Sequence, residues 1–138
     1  MERSLVLVKP DAMERGLAGV IIGRLQGAGL KLAALKMLQM DKALAEKHYA
    51  VHKEKPFFKD LVEYIISKPI VAAVFEGDGA IEQIRKLMGA TDPAKAAPGT
   101  IRKDYGLSLQ ENTIHGSDSP ENAEIEIGNI FKKSEIYR

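Results

Sequence analysis

The run Ile70-Val71-Ala72-Ala73-Val74-Phe75 carries no polar residue on either face. A strand with one face in water alternates apolar and polar residues, so an unbroken apolar run reads as a strand buried deep in a sheet. Pro69 precedes it and a Gly77-Asp78-Gly79 turn follows. Residues 5–8 read as a second buried strand, closed by Pro10. Such strands need helices packed over the sheet, and the rest of the chain supplies them. Leu17, Ile21, Leu25 and Ala28 recur at helical spacing, and Gly27 and Gly29 end that stretch. Leu30 and Leu32 alternate with Lys31, but the phase slips at Ala33-Ala34, which predicts a strand with a bulge over residues 30–40. Asp41 is placed to cap a helix that runs to about Tyr49. Pro56 suits the first turn of a helix with Phe57, Phe58, Leu61, Val62, Ile65 and Ile66 on its apolar face. Ile81, Ile84 and Met88 mark another helix, with Gly89 beyond its end. Residues 90–112 read as a long loop holding at most a short helix, and a loop of that length in a small domain is usually functional. A short strand is expected before His115. Ser119-Pro120-Glu121 opens a last helix, with Ala123, Ile127, Ile130 and Phe131 facing inward. The polar tail beyond Phe131 reads as loosely ordered. The sum is one α/β domain over residues 1–138, a sandwich of helices on a sheet, without internal repeats.

Charge narrows the possible partners. Lys and Arg number 20 and Asp and Glu 19, so nothing draws the chain generally to nucleic acid or to an anionic membrane. An anion site must then be a local cluster of cations. With no cysteine, disulfides, thiolate chemistry and zinc–cysteine sites are excluded. The N-terminal apolar run is too short for a signal peptide, and no stretch approaches the ~20 apolar residues of a membrane span. A cytoplasmic location is expected.

The usual nucleotide loops are missing. There is no glycine-rich loop ending in Gly-Lys-Ser/Thr and no Gly-x-Gly-x-x-Gly after the first strand. His115 lies in Asn112-Thr113-Ile114-His115-Gly116-Ser117-Asp118, just before a helix start where anions are favoured. An imidazole whose tautomer is fixed by a neighbour is a nucleophile at neutral pH, and Gly116 is expected to let a ligand approach. Composition alone leaves open whether His115 is a nucleophile or a loop-capping residue. Glu126 borders the Ile127/Ile130 stripe and is a candidate to orient the imidazole, although its spacing suits a solvated glutamate as well. Lys9, Arg85 and Arg102 form a phosphate clamp only if the fold brings them together. His48 and His52 have metal-ligand spacing, but with no third ligand nearby they read as an exposed pair. Phe57 and Phe58 read as core, with one of them available to stack on a base.

These residues fall in an order that resembles the nucleoside diphosphate kinase family. The blocks are Leu7-Val8-Lys9-Pro10-Asp11, His48-Tyr49, Lys55-Pro56-Phe57-Phe58, Gly89-Ala90-Thr91-Asp92-Pro93-Ala94, Pro98-Gly99-Thr100-Ile101-Arg102 and Asn112-Thr113-Ile114-His115-Gly116-Ser117-Asp118. The resemblance implies a ferredoxin-like α/β fold with a four-stranded antiparallel sheet. It implies ping-pong transfer of the γ-phosphate of ATP or another nucleoside triphosphate to a diphosphate, with Mg²⁺ bound on the nucleotide and little base selectivity. His115 would be the phosphorylated residue, Glu126 would orient it, and Tyr49 would sit close by. Lys9, Arg85, Thr91 and Arg102 would hold phosphates, Lys9 and Asn112 would reach the sugar, and Phe57 would stack on the base with Leu109 on its other face. The resemblance also implies a homo-oligomer, a hexamer, with no need of nucleic acid or membrane. The competing class is a non-catalytic ferredoxin-like module that binds a nucleotide or small molecule. An RNA-binding version needs an aromatic-glycine strand motif, which the sequence does not contain.

Overall fold

The two apolar runs pair with each other. β1 (Glu2–Val8) lies antiparallel to β3 (Ile70–Gly77), with Leu5 opposite Val74 and Leu7 opposite Ala72. β2 (Lys31–Leu38) flanks β3 and the three-residue β4 (Ile114–Gly116) flanks β1, so the order is β2-β3-β1-β4 and every neighbour is antiparallel. The expected bulge in β2 falls between Leu32 and Ala34. This is the ferredoxin-like sandwich anticipated from the resemblance. The structure is a computed structural model and describes residues 1–137.

Among the described residues seven α-helices accompany the sheet: α1 (Pro10–Glu14), α2 (Ala18–Gly27), α3 (Lys42–His48), α4 (Phe58–Ile65), α5 (Ala80–Met88), α6 (Ile101–Tyr105) and α7 (Pro120–Ile130). Strand alternation divides the core into two layers. Leu5, Leu7, Ala72 and Val74 pack with Ala45 of α3, Val62 and Ile65 of α4, and Ile127 and Ile130 of α7. Val6, Val8, Ala73 and Phe75 pack on the opposite face with Ile21 and Leu25 of α2 and Ile84 and Met88 of α5. Leu5, Leu7 and Phe75 are wholly inaccessible. Each such side chain contributes about 1.5–3 kcal/mol by leaving water.

The local signals held where they rested on capping chemistry. Asp41 accepts a hydrogen bond from the Leu44 N–H at 2.7 Å and starts α3. Ser119 accepts from the Asn122 N–H at 3.1 Å, with Pro120 in the first turn of α7. Four expectations need correction. Pro10 does not merely close β1; it is the first residue of α1, where its missing N–H costs nothing. Pro56 lies before α4, because a 3-10 turn at Ala50–His52 and bonds from Lys55 N–H to His52 O and Phe58 N–H to Lys55 O use up the segment. β4 contains His115 rather than preceding it. The tail is docked: the Tyr137 N–H reaches Ala33 O at 2.8 Å, Lys36 pairs with Glu135 at 3.1 Å, and Ile136 rests on the core. No helix among the described residues is long and apolar enough to cross a membrane.

Replacing Ser119 by Ala leaves the Asn122 N–H without its cap. The expected loss is about 1 kcal/mol of unfolding free energy. Denaturant titration checks it: the midpoint should fall while the slope stays the same.

Candidate active site

β4 pairs with β1 so that His115 stands opposite Leu7. Successive side chains of a strand point to opposite faces, so Ile114 and Gly116 turn toward α5 while His115 turns toward α3 and α7. A Cβ on Gly116 would stand 2.5 Å from Met88 Sδ and 3.1 Å from Ile84 Cγ2. The glycine therefore serves packing against α5, and the expectation that it opens a path to His115 is corrected. On the other face, Nε2 of His115 lies 3.1 Å from Oε1 of Glu126 on α7. The same oxygen accepts a hydrogen bond from Ser117 Oγ at 2.7 Å, and Ser117 Oγ accepts one from the Leu5 N–H at 3.0 Å. Burial pushes the Glu126 carboxyl up, but its bonds to His115 and Ser117 outweigh that, and it lies below the usual carboxylate range. An ionised acceptor at Nε2 holds the proton there and leaves Nδ1 with its lone pair. Glu126 is thus a half-buried partner of His115 and not a solvated residue.

A row of aromatic rings leads away from His115. The His48 ring stands edge-on to it at 4.8 Å, Tyr49 stands edge-on to His48 at 4.8 Å, and His52 links Tyr49 to Phe57 at 6.4 and 5.6 Å. Tyr49 is buried one ring away from His115. His48 and His52 are not an exposed pair: His48 is buried and His52 partly so. Burial, then the neighbouring His115, pushes the His48 imidazolium down to about 3, so the ring is neutral. Phe57 is 46% exposed and not a core residue, whereas Phe58 packs on the core. Leu109 is exposed on the long loop.

Lys9 ends β1 and is 6% exposed. Its ammonium donates to Asn112 Oδ1 at 2.8 Å and to Gln110 O at 2.9 Å, and Asn112 Nδ2 donates to Thr91 O at 3.0 Å. Lys9, Asn112 and Thr91 are thereby joined, although they come from three distant parts of the chain. Burial lowers Lys9 to about 8, opposed by Asp11 and reinforced by Arg102. Arg102 donates to Gly89 O at 3.1 Å and to Ile114 O at 2.8 Å, and its buried Nε has no partner among the described residues. Burial and the charge of Arg85 lower it to about 10. Arg85, Thr91 and Arg102 line one open cleft of about 710 Å³ with Asp118. Arg85 and Arg102 therefore converge in one cleft; Lys9 does not line it, although the charge of Arg102 bears on it.

The sequence reading missed the group that shapes this loop. Asp11 is buried in α1 and accepts from the Thr113 N–H at 3.0 Å and from Tyr64 Oη–H at 2.5 Å. Thr113 has φ 73°, a left-handed conformation that a β-branched residue rarely takes, and the Lys9 N–H bonds its carbonyl at 2.8 Å. One signal was available: a tyrosine inside the α4 apolar run has a hydroxyl that burial obliges to find a partner.

The family model described as nucleoside diphosphate kinase matches residues 2–136. The nucleoside diphosphate kinase of Dehalococcoides mccartyi strain 195 is 62% identical over 99% of this chain and 96% of its own length. That of Archaeoglobus fulgidus is 57% identical over 99% of this chain and 90% of its own. Among solved structures, the Aquifex aeolicus nucleoside diphosphate kinase superposes with TM-score 0.96 at 47% identity, covering 98% of each chain. The Halobacterium salinarum enzyme in complex with CDP gives TM-score 0.96 at 50% identity, covering 99% of this chain and 91% of that one.

The depressed Lys9 has a consequence for stability. Its folded value is about 8, below the ordinary 10.5, so between those values the unfolded chain binds more protons than the folded one. Stability should therefore rise with pH from about 8 to 10, by up to about 1.4 kcal/mol per pH unit. Above 10 the raised tyrosines Tyr49 and Tyr64 act in the opposite sense. Urea unfolding at pH 7.5, 8.5 and 9.5 should show the rise, and Lys9→Met should flatten it.

Proposed function

The chain belongs to the nucleoside diphosphate kinase family, and we propose that it moves the γ-phosphate of a nucleoside triphosphate to a diphosphate through a phosphohistidine at His115. The observation that carries this reading is the 3.1 Å pairing of His115 Nε2 with Glu126, itself held by Ser117. With the Nε2 proton fixed, Nδ1 attacks the γ-phosphorus in line. The Nδ1–P bond forms as the bond from phosphorus to the β-γ bridging oxygen breaks, and the diphosphate leaves with that electron pair. A second diphosphate attacks the phosphohistidine in the reverse sense. One site thus serves donor and acceptor in turn.

Lys9, Arg85, Thr91 and Arg102 hold the phosphates, and the unpartnered Nε of Arg102 supports that role. Lys9, poised by Asn112, also reaches the sugar, and Tyr49 backs the ring row behind His115. Phe57 is exposed and free to stack on a base, with Leu109 on the other side. Stacking reads no hydrogen-bond pattern, so selectivity among bases is low. Mg²⁺ bound on the nucleotide would supply charge neutralisation at the phosphates. Glu82 and Asp118 are the carboxylates that line the cleft, and Asp118 would help to hold the ion there, as one or two carboxylates plus phosphates are the usual Mg²⁺ environment. ATP and the other nucleoside di- and triphosphates are the substrates, residues 1–138 act as one catalytic domain, and the enzyme works in the cytoplasm.

We propose in addition a homo-oligomer, a hexamer. β2 is a sheet edge, and Leu35 and Met37 on it are 52% and 64% exposed. An apolar edge strand left in water is a pairing surface. Light scattering at micromolar concentration should give six times the single-chain mass; the mass of one chain would overturn association.

Incubation with γ-labelled ATP tests the chemistry. The wild type should yield an acid-labile, base-stable phosphoenzyme, and folded His115→Ala should yield none and show no turnover. Glu126→Ala should still take label but turn over roughly ten- to a thousandfold more slowly, as befits an orienting group. Normal labelling of His115→Ala would end this mechanism, and a wild type that retains no label would favour a binding module.

A further inference from the structure

Three side chains from three separate elements meet beside the aromatic row. His48 on α3, His115 on β4 and Glu126 on α7 each offer a ligand atom, and these atoms lie within 4.8 Å of one another. Nε2 of His115 and Oε1 of Glu126 are 3.1 Å apart. Two ligands bound at zinc distances in a tetrahedron stand roughly 3.3–3.5 Å apart, so this pair is already close to a metal bite.

His48 supplies an independent observation. It is 6% exposed, and neither of its ring nitrogens has a hydrogen-bond partner among the described residues. Buried polar atoms without partners are uncommon and costly, and each calls for an explanation. The phosphotransfer mechanism does not use this residue. Its ring is neutral, held so by burial and by His115. The free base is the form that binds a metal, and no proton has to leave it. The cation that bears on it, Lys9, is engaged by Asn112 and Gln110.

We propose that His48, His115 and Glu126 form a binding site for a borderline divalent cation of the zinc class, and that its occupancy blocks phosphotransfer. Two imidazoles and a carboxylate are a donor set of catalytic zinc sites, in which the fourth position stays open to water. The side chains of His115 and Glu126 are 24% and 15% exposed, which leaves that position an opening. Mg²⁺ prefers octahedral oxygen ligands, so the nucleotide's own ion does not compete here. On binding, the Nε2–metal bond forms and the single proton of the neutral ring moves from Nε2 to Nδ1, so the ring stays neutral. Glu126 exchanges its hydrogen bond for a metal bond. His115 is then tethered on the side that Glu126 used to orient it, and Nδ1, now carrying the ring proton, has no lone pair with which to attack phosphorus. The inhibitory consequence rests on His115 being the phosphorylated residue, while binding of the ion does not.

The test uses the whole chain, freed of metal. Co²⁺ serves as the spectroscopic probe, because four-coordinate Co²⁺ absorbs far more strongly in the visible than the hydrated ion. Zn²⁺ then displaces it, and calorimetry in two buffers of different ionisation enthalpy counts protons. One ion per chain, with little net release of protons from the ligands, is expected, because both imidazoles bind neutral and the carboxylate is already ionised. His48→Phe keeps an aromatic ring but removes a ligand, and should weaken Zn²⁺ binding by more than about tenfold. Glu126→Gln should do the same and serves if the first variant does not fold. Zn²⁺ bound equally by wild type and a folded variant, or Co²⁺ that stays octahedral, would overturn the site. Zn²⁺ that fills the site yet leaves labelling of His115 by γ-labelled ATP unchanged would overturn the inhibition. A metal-free wild type that binds Zn²⁺ as expected but never takes label would instead sink the phosphohistidine reading and leave the site standing.

Discussion

β1 and β3 are buried on both faces, and that constraint sets the position of almost every polar group in the molecule. A charged side chain inside such a pair has no water and no room for a partner. Polar chemistry is therefore confined to strand ends and to the sheet edge. Lys9 follows β1, and His115 sits on the short edge strand β4. Antiparallel pairing then brings the edge strand alongside the end of β1, so the ammonium and the imidazole share one end of the sheet.

The groups at that end hold one another in position. Glu126 needs α7, α7 needs its Ser119 cap, and the carboxylate is completed by Ser117, which is tied to β1 at Leu5. Asp11 and Tyr64 hold Thr113 at an unfavourable backbone angle two residues before His115. Strain of order 1–3 kcal/mol persists only where the surroundings enforce it, and here they do so beside His115. Burial of Lys9 and Arg102 works in the same direction. Both cations lie below their ordinary pKa because they are buried and near other cations, which is the electrostatic state that an incoming polyanion relieves.

Much of this was legible in the chain. The run at residues 70–75, the Asp41 and Ser119 caps, and the phase slip at Ala33-Ala34 each reflect local physics: side-chain periodicity, orphan N–H groups and strand alternation. The elements that misled were those whose local signal admits two outcomes. A proline both ends a strand and begins a helix, so Pro10 hid α1. Pro56 looked like a helix start, but the turns after α3 had consumed the segment. The tail is polar and still docks, because β2 offers Ala33 O at its edge and Lys36 an ion pair.

The sequence by itself determined the sheet-and-helix plan and, through the ordered motif blocks, the family and its candidate residues. It did so because apolar periodicity and capping depend on neighbours within a few positions. Only the tertiary structure decided which of those residues meet. Glu126 at eleven positions from His115 looked equally like a surface charge until α7 packed against β1, beside β4. His48 looked like half of an exposed pair until α3, which carries it, packed against α7 and set its ring against His115. Contacts between elements far apart in sequence are fixed by how two apolar layers pack on one sheet, and no local pattern of residues carries that information.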